Sequence, residues 1–290
     1  MNARKLRYAA RALSLCGIFV LSGCSYLPVL APRGPIGVAD KATILTSIAL
    51  MLIVAIPVFV LTAFVVWRYR ASRKATYTPD WSHSGRLEIV VWVVPAIIVV
   101  ALGGLVWSTT HRISPYKAIA STAKPLPIDV VALDWRWLFI YPDQHIASVN
   151  KLVIPAGVPV SFRITSNTVM SSFFIPRLGS QIYAMPGMRT KLHLLADAPG
   201  TYVGRNYQFS GAGYASMHFQ TIATTPADFA TWVQHMRDGH QALDPAVWRQ
   251  LEKPVRGGPV ISYSSVQPGL FDRIINKFMT AKAMPAKPHA

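Results

Sequence analysis

The sequence predicts a membrane-anchored α+β chain: a two-helix transmembrane hairpin, then a Greek-key β-sandwich, then a C-terminal helical segment. Three observations predict it. Two long uncharged runs stand in the first third of the chain, short β-type segments begin near residue 128, and helix-start signals return after residue 224. Composition agrees, because 52% hydrophobic and 14% charged residues in a chain of 290 is too apolar for an ordinary soluble domain. It is also too polar for membrane spans alone.

Arg4, Lys5, Arg7 and Arg11 form a positive stretch ahead of a short apolar run from Ala12 to Leu21. That run is too short to cross a bilayer and reads as the core of a signal peptide. Leu21-Ser22-Gly23-Cys24 resembles a bacterial lipoprotein signal. Residues 1–23 are therefore expected to be removed, leaving Cys24 as an acylated N-terminus and 24–41 as a periplasmic segment. The other cysteine, Cys16, lies within the signal. The mature chain is thus expected to have no disulfide, catalytic thiol or thiolate metal ligand.

Between Lys41 and Arg68 run 26 uncharged residues, and 22 more run from Ile89 to Thr110. Each is long enough to span, which predicts transmembrane helices over 42–67 and 87–110. Pro57 and Pro95 are tolerated in such helices. Trp67, Trp92 and Trp107 lie toward the ends, where indole rings favour the interface. The intervening segment 68–86 carries Arg68, Arg70, Arg73, Lys74 and Arg86 against Asp80. Such positive loops stay in the cytoplasm, which puts both the N-terminus and everything after residue 110 on the periplasmic side. Glu88, at the cytoplasmic start of the second span, has two readings. It is a helix-start carboxylate facing the helix dipole, or an ionisable group that admits protons to a membrane pathway.

The segment 111–224 is predicted to be the β-sandwich. "IDVVALDWRWLFIY" is rich in β-branched and aromatic residues, and "KLVIPAGVPVSFRITS" reads as two strands around Pro155-Ala156-Gly157. "MRTKLHLLAD", "GTYVGRNYQF" and "ASMHFQTIA" follow as further strands. Thr225-Pro226 and Asp244-Pro245 each pair a cap residue with a proline at the first helical position. Phe229, Trp232, Val233 and Met236 then share one helical face, and Leu270, Ile274 and Phe278 suggest a third helix. This predicts a helical segment over 225–280, with a disordered tail at 281–290.

Two spans followed by a β domain opening with "DWRWLFIY" resemble subunit II of the haem–copper oxidases. In that family the sandwich is cupredoxin-like, and the cytochrome c-oxidising branch holds a two-copper centre there. Its loop has the form Cys-Ser-Glu-x-Cys-Gly-x-x-His-x-x-Met. In "NYQFSGAGYASM" the cysteine positions fall at Asn206 and Ser210, the glutamate at Gln208, the histidine at Tyr214 and the methionine at Met217. The upstream histidine falls at Ser171, within "NTVMSSFFIPRLG". These six are vestigial copper-site positions: copper electron transfer needs thiolate and imidazole, and one methionine cannot replace them.

The ubiquinol-oxidising branch, of cytochrome bo type, resembles the chain throughout, from the lipoprotein signal to "TSNTVMSSFFIPRLGSQIYAMPGM" and "LFDRIINKF". The resemblance implies a subunit 2 without a redox centre or bound metal, part of a proton-pumping ubiquinol oxidase. Haems and copper are expected in subunit I, which this chain braces and caps, with smaller subunits III and IV and membrane lipids as further partners. It raises the proton-uptake reading of Glu88, and it makes a magnesium site at Gln208 doubtful. It assigns Trp135 and Trp137 to packing the sandwich onto the membrane subunit. The eight histidines show no ligand spacing. No nucleic acid partner is implied.

From His111 onward 18 Lys or Arg face 9 Asp or Glu, an excess of nine positive charges. Docking a basic cytochrome c needs an acidic face, so no cytochrome c partner is expected. The expected location is the bacterial inner membrane, as a two-pass lipoprotein. Two other readings stay open at the level of sequence. One is a lipoprotein binding or assembly module with a degenerate cupredoxin domain, the other a cytochrome c oxidase subunit II.

Overall fold

A computed structural model describes residues 27–70, 72 and 84–283. The signal segment, Cys24, most of the 68–86 loop and the tail from residue 284 lie outside the described residues. The chain divides into two compact units, Lys41–Ser114 and the remainder.

The smaller unit carries two helices, α1 (Pro35–Arg68, which begins in the other unit) and α2 (Gly85–Arg112). At 1.5 Å per residue both exceed the roughly 30 Å of bilayer hydrocarbon. Both are long and apolar enough to cross a membrane. Large side chains such as Phe59, Val100 and Trp92 stand exposed along them. An apolar surface all round a helix suits lipid rather than water.

In the larger unit the segment before the first span is tied to the β domain. Arg33 N–H donates to the Arg177 carbonyl at 2.6 Å, Gly37 N–H to the Leu178 carbonyl, and Ser180 N–H to Asp40 Oδ2. Gly34 permits this approach, since a Cβ there would lie 2.2 Å from the Leu195 carbonyl oxygen.

The β domain is a two-sheet sandwich. Its strands are β1 (Leu126–Leu133), β2 (Arg136–Tyr141), β3 (Ile146–Val149), β4 (Lys151–Pro155) and β5 (Val160–Ser166). There follow β6 (Ser171–Ile175), β7 (Gly179–Ala184), β8 (Thr190–Leu194), β9 (Gly200–Arg205) and β10 (His218–Thr224). Beyond them come α3 (Pro226–Arg237), β11 (Ala242–Leu243), α4 (Pro245–Leu251), β12 (Ile261–Tyr263), β13 (Ser265–Val266) and α5 (Leu270–Ala283). One sheet has the order β12-β3-β2-β1-β5-β8 and the other β4-β10-β9-β6-β7. β1 with β5 and β4 with β10 are parallel.

Between the sheets lies an aromatic core. Phe173 stacks on Phe219 at 5.2 Å, and Trp137 meets both rings edge-on. The outer face of the larger sheet forms a second core: Leu138, Ile140 and Val149 lie under Leu243, Leu251, Phe271 and Ile274. β2 is therefore covered on both faces, which explains why "RWLFIY" does not alternate cleanly.

The "IDVVALDWRWLFIY" stretch forms a hairpin of β1 and β2, pairing Leu133 with Arg136. The turn falls at Asp134-Trp135, with Trp135 in the left-handed region at φ 63°. The Thr225 hydroxyl accepts from Asp228 N–H, and Asp244 accepts from Ala246 and Val247 N–H, so both helix caps form as their residue types dictate. Helix α5 is fixed over the sheet by charge and ring. Arg163 donates to both oxygens of Asp129, at 2.5 and 2.6 Å, and lies over the Phe271 ring at 5.3 Å. Arg189 approaches the same ring and pairs with Asp272.

Candidate functional site

The Asn206–Met217 loop joins β9 to β10 and is closed at its base by Asn206 N–H donating to the Met217 carbonyl at 3.1 Å. The Asn206 carboxamide, 5% exposed, organises the interior. Its Oδ1 accepts from the backbone N–H of Ser172 at 2.8 Å, from the Ser172 hydroxyl, and from Gln208 N–H at 2.9 Å. Its Nδ2 donates to Ser210 Oγ at 3.0 Å and to Met217 Sδ at 3.4 Å. Ser172 Oγ in turn accepts from Tyr207 N–H at 2.7 Å. One primary amide has thereby used both its donors and its acceptor, as a buried amide must.

Trp135 covers the loop. Its Nε1–H donates to the Ser210 carbonyl at 2.9 Å, and Arg256 stands over its ring at 5.7 Å. Gly213 lies flat beneath the indole, where a Cβ would come within 2.2 Å of Trp135 Cδ2. Gly211, at φ 99°, turns the chain between the two serine-bearing halves. Around this closed centre, Tyr207, Phe209 and Tyr214 are 55%, 71% and 37% exposed. Phe209 and Tyr214 face each other at 5.5 Å.

Of the six positions singled out in the sequence, the fold brings Ser210 and Met217 each into contact with the Asn206 amide. Gln208 joins through its backbone N–H. Tyr214 lies at the rim, and Ser171 is buried in β6. The residue of β6 that meets Asn206 is Ser172, which sequence reasoning missed; the only sign of it was the serine pair itself. The assignment of Trp137 to packing against a membrane subunit is corrected: Trp137 is fully buried inside the sandwich, because β2 turns that face to the core. Trp135 packs instead on the loop of its own chain.

The donor set does not fit a copper ion. The amide nitrogen of Asn206 donates into the Met217 sulfur, and hydroxyls and an amide oxygen occupy the remaining contacts, whereas copper electron transfer uses thiolate and imidazole. Among the described residues no three His, Cys, Asp or Glu side chains gather to hold a metal.

Residues 141–223 match the family model for the cytochrome c oxidase subunit II periplasmic domain, and 237–282 match the COX aromatic rich motif. The cytochrome bo(3) ubiquinol oxidase subunit 2 of Pseudomonas putida is 49% identical over 267 residues, covering 92% of this chain and 85% of that one. The ubiquinol oxidase subunit 2 of Acetobacter aceti is 44% identical, covering 98% and 93%. The chain belongs to the ubiquinol oxidase subunit 2 family. The quinol oxidase subunit 2 of Bacillus cereus is 37% identical over 84% of this chain and 85% of its own. A crystal structure of the periplasmic domain of subunit II of cytochrome oxidase from Bradyrhizobium japonicum aligns at TM-score 0.38 and 24% identity, covering 40% of this chain and 96% of that one. Membership rests on the sequence relatives.

As a ubiquinol oxidase subunit 2, the chain is part of a membrane-bound respiratory oxidoreductase that contains other oxidase subunits, and its sandwich is cupredoxin-like. The aromatic rich motif of this family is the segment that covers the outer face of β2. Glu88 lies in the first turn of α2, where its N–H donates to the Ser84 carbonyl at 3.0 Å and its carboxylate faces the positive end of the helix dipole. Cys24 lies outside the described residues.

Proposed function

We propose that this chain is the non-redox subunit of a proton-pumping ubiquinol oxidase that passes electrons from ubiquinol to oxygen. It braces the catalytic subunit I and caps its periplasmic face. Haems and copper reside in subunit I, smaller subunits III and IV complete the complex, and no cytochrome c docks. The observation that carries this reading is the closed loop from Asn206 to Met217. The Asn206 amide donates to the Ser210 hydroxyl and the Met217 thioether, and with Ser171, Gln208 and Tyr214 these three stand as vestigial copper positions. The exposed rings of Tyr207, Phe209 and Tyr214 support the bracing role, since a cluster of exposed apolar rings on a folded domain marks a surface that another protein covers.

The same proposal includes acylation at Cys24, removal of residues 1–23 and a location in the bacterial inner membrane with the sandwich in the periplasm. It includes a role for Glu88 as a proton-uptake group at the cytoplasmic side. Its exposed position as the acidic residue in the first turn of α2 supports that role.

Oxygen uptake by the complex that co-purifies with a C-terminally tagged chain tests the reading, with ubiquinol and reduced cytochrome c offered separately. Uptake is expected with ubiquinol alone. Uptake with cytochrome c would contradict the copper-free loop, and a preparation without haem or oxygen uptake would favour a lipoprotein binding or assembly module. In the same preparation Glu88→Gln slows proton uptake several-fold at unchanged haem content. An unchanged rate would leave Glu88 a helix-start residue only.

A further inference from the structure

Arg136, the first residue of β2, is 5% exposed yet forms no ion pair among the described residues. Its Nη2 donates to the Leu251 carbonyl at 2.6 Å and to the Lys253 carbonyl at 2.8 Å, at the end of α4. Its buried Nε–H has no partner among the described residues. The side-chain stem is held in place: at Gly258 a Cβ would lie 2.8 Å from Arg136 Cδ. Two carbonyls at a helix C-terminus offer partial negative charge, but a guanidinium taken out of water calls for a full counter-charge.

Beside it opens a cavity of about 410 Å³ lined by Arg136, Gln241, Gln250 and Tyr263, with Val247 and Ile261 among its apolar walls. Burial pushes the Tyr263 phenol above its ordinary pKa, with Arg136 acting against the shift, and burial lowers the arginine from a very high starting value. Around neutral pH the lining therefore offers a cation, two carboxamides and a phenol, all able to donate, and no carboxylate. Such a set rejects a metal cation and suits a ligand that only accepts. We propose that this cavity binds a small oxyanion, a carboxylate or a phosphate, whose charge neutralises Arg136. Capping α4 accounts for Nη2 but leaves the net charge unanswered. The apolar walls limit the ligand to a compact group with a short apolar part or none.

The test uses the detergent-purified oxidase with this chain at full length. Acetate and inorganic phosphate are titrated separately against chloride at constant ionic strength, and amide hydrogen exchange is followed over residues 245–263. Saturable slowing of exchange is expected. Gln250→Leu, at an exposed position, weakens the apparent affinity roughly tenfold, and Arg136→Met abolishes it. Slowing with acetate alone assigns a carboxylate ligand, and slowing with phosphate alone assigns a phosphate. No saturable slowing with either probe, or slowing that Gln250→Leu leaves unaltered, overturns the proposal. Because Arg136→Met also strips the end of α4 of its donor, the Gln250→Leu comparison decides by itself if that variant does not fold.

Discussion

Asp129 and Arg163 share two short hydrogen bonds, but they stand in different surroundings: side-chain exposure is 4% for the aspartate and 35% for the arginine. Burial, the largest influence, lifts the Asp129 carboxyl above its ordinary value, and nearby Asp272 adds to it; Arg163 and Arg189 pull it back. The native carboxyl thus keeps a proton that the unfolded chain has already released, so stability falls as pH rises from the ordinary carboxylate range through the native value, and is flat above it. Arg163→Met removes the main opposing charge and leaves a buried carboxylate alone. The expected loss is about 3 kcal/mol at neutral pH, shrinking as the solution is acidified. Asp129→Asn instead leaves a guanidinium that reaches water and removes the titrating carboxyl, so the expected loss at neutral pH is about 1 kcal/mol and the pH slope due to Asp129 disappears. Unfolding midpoints of the purified oxidase between about pH 5 and 8 check the asymmetry. Equal losses in the two variants would contradict it.

At the scale of the element, the β9–β10 loop depends on the flat contact between Gly213 and Trp135. Gly213→Ala puts a methyl 2.2 Å from Trp135 Cδ2, so the indole must leave and its bond to the Ser210 carbonyl breaks. We expect a local cost of about 2 kcal/mol, read as roughly thirtyfold faster hydrogen exchange over residues 206–217 with α3 and α5 unchanged. This contact also explains what the sequence left hidden. The turns around Pro155–Gly157 and the caps at Thr225 and Asp244 were legible because the residues that specify them lie within four positions. The Asp134–Trp135 turn carries no glycine, proline or asparagine, and Trp135 takes its left-handed conformation where its hydrogen-bond partner is 75 residues away. The turn within 128–141 was not legible for that reason, and because the aromatic rich motif buries the second face of β2 and so removes the alternation that marks strand ends. At the candidate site, Asn206, Ser210 and Met217 were legible from the family resemblance, whose motif lies within one loop. Ser172 was not, because it depends on how β6 presents its two serines to a distant chain segment.

For the whole molecule, charge distribution and element order argue together. The proposed topology puts the chain's ends on one side of the membrane and the basic segment between Arg68 and Arg86 on the other. The part from residue 111 onward carries an excess of nine positive charges, which does not oppose the proposed topology, since the positive-inside bias acts on short loops. The same excess disfavours a basic soluble donor and favours anionic headgroups, which fits electrons arriving from a quinol in the lipid. Protease added to spheroplasts is expected to remove a C-terminal tag while sparing the 68–86 segment, and inverted vesicles should show the reverse. The mature chain should begin at Cys24 and weigh more than its sequence by the mass of its acyl groups; Cys24→Ala should remove that increment without altering the protease pattern, because the two spans hold the fold in the membrane on their own. Cleavage at 68–86 in spheroplasts would invert the topology and put Glu88 on the wrong side to take up protons from the cytoplasm.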